Sequence, residues 1–413
     1  MQRQHNSSLS MLKNILIALL LIICCLSVIM PTIAKLENSS VNSPASQETP
    51  FKDHRYETIP VDGYNGPVFK LSQRYPQTKP TNEPRPWEAF SFKTQPEQYL
   101  MSVLRYATEG NLQVDWVGQN NSVRKWYHVP WLDAGANGRE FIHGLTLERA
   151  SRPRELHPSQ TSFWSNYAVG LYNPVGGYVV GKVWEDHESP NADAARFPNG
   201  TVGVKLLFTT ASVTEAPYLR GAFEWDAYVR LRGSQPLAIQ KVRLLQIDVA
   251  VRDTRANSTT GWVFGTFQYD GTARGTTPWE KMKPVGLMWG NDPTLTQARY
   301  NQGSRPLQSK IINRVIGGAQ QHLGHNERLN GPVDNPASSC LSCHSTASDP
   351  DFQPVVPPTQ INGRPITDAQ IMRWFRNIQS GESFDPGRTS LDYSLQLSEG
   401  IRRFRAANEP PNN

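Results

Sequence analysis

Between residues 241 and 252 the chain alternates with a period of two. Leu245, Ile247, Val249 and Val251 fall on one face, and Gln246, Asp248 and Arg252 on the other. Successive side chains of a strand point to opposite sides, so this stretch must bury one face and pair its backbone with neighbouring strands. Residues 202–209 and 262–269 repeat the pattern, and Asp270-Gly271 supplies a tight turn after the second. With Gly, Pro and Asn breaks between such runs, residues 110–300 predict an antiparallel β-sandwich. The 11 Trp, 30 Gly and 32 Pro suit a turn-rich β protein better than a helical bundle.

Helical periodicity surfaces at the flanks. Leu100, Val103, Leu104 and Ala107 recur at i, i+3, i+4, i+7 and predict a helix over 95–109. Thr94 and Glu97 have capping-box spacing, Pro96 sits in its first turn and Gly110 stops it. Met101, beside the stripe, reads as packing. Thr367 and Gln370 repeat the capping signature ahead of Ile371, Trp374, Phe375 and Ile378, and a last amphipathic helix is expected over 391–404. Residues 173–184 suit a Pro-initiated helix or a strand, and both stay open. Residues 345–365 hold five prolines and predict an extended loop.

Cys340, Cys343 and His344 stand as C-x-x-C-H. That spacing lets two thiols add to the two vinyl groups of haem while the adjacent imidazole ligates the iron. Of four cysteines, Cys24 and Cys25 lie in an apolar N-terminal run, so the motif holds the other two. No second C-x-x-C completes a zinc site. A thioredoxin-type dithiol follows a buried strand, whereas residues 330–339 read as a polar loop. One covalent haem c is therefore the expected cofactor, bound by Cys340, Cys343 and His344. Met372, on the second capped helix, is the expected sixth iron ligand, since a thioether suits electron transfer. His322, His325 or an open position are its alternatives. Arg364, Arg373 and Arg376 are candidates to pair with propionates, and Trp374 to pack on the porphyrin. His128, His143 and His157 match no metal-ligand spacing and read as satisfied or surface histidines.

The N-terminus sets the compartment. Arg3 and Lys13 flank the start, residues 15–30 are apolar, and small residues end at Ala34, which is the layout of a secretory signal peptide. An apolar run of about 16 residues is shorter than the roughly 20 of a spanning helix. An uncleaved anchor is the alternative, and only then would the chain contact a membrane. Formal charge is +6 with no concentrated Lys/Arg run, which suits docking to a redox partner protein and gives no support to nucleic-acid binding. The expected organisation is α+β. A signal peptide (1–34) and flexible leader (35–60) precede a mainly antiparallel β-sandwich domain (61–312), a small α-helical haem c domain (313–408) and a tail (409–413).

The C-x-x-C-H run resembles that of c-type cytochromes. More widely, residues 139–145 (REFIHGL), 260–266 (TGWVFGT) and 339–344 (SCLSCH) are similar to uncharacterised bacterial proteins assigned to the cytochrome c family. The resemblance implies haem and electron transfer, and it supplies no substrate. The chain departs from the small class I pattern: its motif lies near the C-terminus and no Met-Pro signature follows. The expected function is periplasmic electron transfer by a monohaem cytochrome. A haem-dependent oxidoreductase whose β-rich domain binds substrate, or an open-site haem sensor or binding protein, is the alternative.

Overall fold

A computed structural model describes residues 50–408. The expected signal peptide, the first part of the leader and the tail lie outside the described residues, within which no helix is long and apolar enough to cross a membrane. The alternating segments form one antiparallel sheet. Its strands are β1 (Thr146–Ser151), β2 (Trp164–Tyr172), β3 (Val202–Thr209), β4 (Glu224–Arg230), β5 (Leu237–Arg252), β6 (Trp262–Tyr269), β7 (Met282–Met288) and β8 (Ser309–Ile311), in the order β1-β2-β3-β5-β6-β7-β8. The long β5 pairs its first half with β4, from Arg230↔Leu237 to Glu224↔Arg243, and its second half with β3 and β6. Leu207 faces Gln246 while Phe208 faces Leu244, so Leu245 is an extra residue. This bulge buries Leu244 and Leu245 together.

A second packed sheet, the expectation of a sandwich, is not what covers this one. Strand periodicity reports that a face is buried and is silent on what buries it. Here helices and ordered loops do so on both sides. On the first face, Val204, Leu206, Ile247 and Val249 meet Leu100, Val103 and Leu104 of α1 (Pro96–Thr108) in one large core. A Cβ on Gly265 of β6 would fall 2.2 Å from Leu100 Cδ2, so the glycine lets the helix sit close. The α1 stripe is buried as its spacing predicts, and Met101 packs against the same core. The Thr94–Glu97 capping box does not form. Ser91 already ties the preceding turn through Thr94 N, and the helix starts one residue later with Gln95 as N-cap.

The second face carries β3 residues Gly203 and Lys205, β5 residues Asp248 and Ala250, and β6 residues Trp262 and Phe264. Against it lie α2 (Pro174–Val183) and the C-terminal stretch. The ambiguous 173–184 segment is thus helical, started by Pro174 and capped by Asn173, whose side chain accepts from Gly176 N at 3.1 Å. The described residues, 50–408, belong to one compact unit. After α3 (Gln297–Asn301), the chain adds α4 (Cys340–His344), α5 (Asp368–Ile371) and α6 (Leu395–Asn408). Leu341, Leu391, Tyr393 and Leu397 share their core with Trp262 and Phe264 of the sheet. The Thr367–Gln370 box is present on α5, which is a single turn; Trp374, Phe375 and Ile378 follow it into a small cluster with Phe352 and Phe384. Residues 50–60 of the expected flexible leader are packed: Phe51 is buried with its ring 5.7 Å from Trp184.

Candidate functional site

The C-x-x-C-H segment is a short helix because its flanks are satisfied locally. Ser339 Oγ accepts from Ser342 N at 3.1 Å, and Ser342 Oγ accepts from Ser339 N at 2.8 Å, a reciprocal cap. Ser339 Oγ also donates to Asn291 Oδ1 at 3.0 Å, and fully buried Leu341 pins the turn into the sheet-face core. Cys340, Cys343 and His344 are thereby brought to one cavity.

His344 is held in one tautomer. Its Nδ1 lies 2.9 Å from the carbonyl oxygen of Tyr393, which can only accept, so Nδ1 carries the proton and Nε2 keeps its lone pair. Burial lowers its pKa to about 4, so the ring is neutral near pH 7, the form that ligates a metal. Its other contact is the Phe264 ring, at 4.7 Å between centroids. The carbonyl is aimed by an unusual backbone: Asp392 and Tyr393 both have positive φ, 46° and 70°. The buried Asp392 carboxylate fixes this turn, accepting from Trp262 Nε1 at 3.0 Å, Phe197 N at 2.9 Å, Ser380 Oγ at 2.8 Å and Gly381 N at 3.2 Å.

Burial pushes both thiols up, Cys343 to about 12 and Cys340 well above its usual range. A redox dithiol needs a depressed thiolate, so this environment does not favour the thioredoxin-type alternative.

The cavity holds about 430 Å³, within the roughly 300–1,000 Å³ of ligand pockets. Small residues of the sheet, Ala168, Gly170, Gly203 and Ala250, leave this space, and a Cβ on Gly170 would meet Gln396 Nε2 of α6 at 1.8 Å. Arg139, 2% exposed, lines it. Its Nη2 donates to the Val129 carbonyl at 2.9 Å, but Nε and Nη1 have no partner. Burial lowers its pKa to about 10, against the pull of Asp133, which leaves it a cation at neutral pH. Glu148, Lys205, Asp248 and Asp334 supply a second polar group on the lining.

These residues fit a haem. Two thiols and a neutral imidazole with a free Nε2 stand at a largely apolar space, and an unsatisfied buried guanidinium suits a propionate. Cys340 and Cys343 would carry the thioethers, His344 would hold the iron, and Arg139 would pair with a propionate. The group's own chemistry is reversible one-electron transfer at iron.

Other expected site residues lie elsewhere. Met372 is half-buried against the Phe352–Trp374–Phe384 cluster and does not line the cavity. Trp374 sits in that cluster, donating from its indole to the Pro354 carbonyl at 3.2 Å. Arg373 and Arg376 pair with Asp385, and Arg364 is exposed in a short hairpin. His322 and His325 line a separate surface recess, where His325 stacks on Phe375 at 4.9 Å. His128 accepts from Ser72 N, His143 stacks on Trp225 at 4.2 Å, and His157 is bonded to Ser159, so the three do not converge. Sequence reasoning missed Arg139, Lys205, Asp392 and the Tyr393 carbonyl as parts of the site. A backbone carbonyl has no sequence signature, Lys205 joins the site through the sheet register, and Arg139 and Asp392 reach it from loops outside the strands.

No known protein family, curated protein or solved structure matches the chain. Fold and site define an α+β protein in which one antiparallel sheet and a capped C-x-x-C-H turn enclose a cavity.

Proposed function

We propose that this chain is an exported monohaem c-type cytochrome. Cys340 and Cys343 would hold the haem, each through a thioether formed by adding its S–H across one vinyl group, the hydrogen going to the other vinyl carbon. His344 Nε2 would hold the iron, whose reversible one-electron chemistry would serve a partner protein outside the cytoplasm. The observation that carries this reading is His344 with its Nδ1 proton committed to Tyr393 and its Nε2 left free, beside both thiols on one cavity. The buried, unpartnered Nε and Nη1 of Arg139 support it independently. The apolar run of residues 15–30 supports export, as does the motif itself, because haem is attached to such motifs outside the bacterial inner membrane.

The test is production of the full chain in a host with haem c maturation machinery. One haem per chain is expected by intact mass and pyridine haemochrome, and none in the C340S/C343S variant. A folded, exported chain without haem would contradict the proposal.

A further inference from the structure

The described residues bring one strong iron ligand to the cavity and no second. Among the described residues, its lining holds no methionine, no histidine besides His344 and no cysteine beyond the motif. The described methionines are committed elsewhere: Met101 and Met282 pack in the first-face core, Met288 is fully buried beside its register partner Phe264, and Met372 belongs to the Phe352 cluster. His54, His128, His143, His157, His187, His322 and His325 are likewise absent from the lining.

What the cavity offers instead is Lys205. It sits on β3, between Gly170 of β2 and Asp248 of β5 in the register, with Gly203 and Ala250 two residues along. Its side chain is 27% exposed although strands flank it on both sides, and that exposure opens into the cavity its side chain lines. Nζ lies 3.2 Å from Asp248 Oδ2. Asp248 is otherwise occupied, accepting from Gln246 Nε2 at 2.7 Å and Thr266 Oγ1 at 2.7 Å, so it is fixed in place. An ammonium has three N–H donors, and this pair uses one. Glu148 and Asp334 also line the cavity, and their carboxylates pull on the same ammonium. An amine paired with a carboxylate keeps its proton and has no lone pair for a metal, so Lys205 acts as a hydrogen-bond donor and not as a ligand.

Resting on the haem reading above, we propose that His344 is the only iron ligand the described residues supply, and that the cavity takes a small exogenous polar ligand, which accepts from the Lys205 ammonium. The protein is then a ligand-binding haem protein with a redox centre, and not solely an electron carrier.

Spectroscopy of the purified holoprotein tests it. A high-spin ferric spectrum is expected, with stoichiometric binding of cyanide to the ferric form and of carbon monoxide to the ferrous form. K205M should weaken cyanide binding on the order of tenfold, the worth of one hydrogen bond to a charged donor, while K205R holds it within a few-fold. A low-spin spectrum without added ligand overturns the inference and leaves covalent haem standing. Unchanged cyanide affinity in both variants overturns the role of Lys205. Should K205M not fold, the wild-type spin state and K205R decide the matter. Absence of covalent haem by pyridine haemochrome overturns both readings together.

Discussion

At the residue scale the account turns on how a single imidazole is held. Asp392 does not touch His344; it positions the Tyr393 carbonyl by tying together β6, the segment at Phe197 and the turn at Ser380. D392A strands several buried donors and is expected to cost about 3 kcal/mol, read as a lower urea midpoint, because each orphaned buried group costs roughly 1–3 kcal/mol. D392N keeps the acceptor oxygen and should recover part of the loss. Arg139 makes an opposite prediction for two states of the protein. Its buried guanidinium, with Nε and Nη1 unpartnered, destabilises the haem-free chain, so R139M should leave that form as stable as wild type or more so. In the holoprotein the same change removes a propionate partner and should lower the melting temperature. Acid should weaken the fold through buried histidines. His143, His325 and His344 are each lowered by burial to about 4 from 6.5. The unfolded chain then binds more protons between those values, so stability is full above pH 6.5 and falls as pH drops toward 4. Haem-free protein followed by urea denaturation at pH 7 and pH 5 should show that loss, and H143Q should flatten it. A stability that rose on acidification would contradict the burial of these rings. The Cys340–His344 motif was legible because its three side chains lie within five consecutive residues. Asp392 and Arg139 were not, since each matters through a partner far away in sequence.

At the element scale, what could be read was whatever repeats locally. The alternation of β3, β5 and β6 and the apolar stripe of α1 all reappear in the fold, because a strand or helix must bury one face whatever its neighbours are. The number of layers was not readable: the same alternation serves a sheet covered by another sheet or by helices. Capping boxes show the same limit. Thr367–Gln370 and Thr94–Glu97 have identical spacing, yet only the first closes, since Ser91 had already bound the backbone ahead of α1. The seat of α1 on β6 gives a sharp test. G265A places a methyl 2.2 Å from Leu100 Cδ2 and should cost about 1–3 kcal/mol by overpacking. L100A alone should cost about 2–5 kcal/mol by leaving a cavity. In the double variant the added methyl fills part of that cavity, so a double-mutant cycle should return a favourable coupling energy. Strict additivity would show that the helix does not rest there.

At the scale of the whole molecule, the sheet and the C-x-x-C-H turn line one cavity together. Ala168, Gly170, Gly203, Lys205, Asp248, Ala250 and Phe264 form one wall, while the C-x-x-C-H turn, Tyr393 and Gln396 form the other. Sequence reading divides the chain at residue 312, yet the shared core of Trp262, Phe264, Leu341 and Leu397 joins the two sides of that boundary. A ligand seated between them should stabilise both, so loss of haem in C340S/C343S is expected to lower the melting temperature of the single unfolding transition rather than split it. The central claim is tested most directly by peptide mapping of the exported holoprotein. A proteolytic fragment spanning residues 340–344 should carry one haem through both cysteines and resist alkylation, whereas recovery of that fragment without haem, and alkylated at Cys340 and Cys343, would contradict the account.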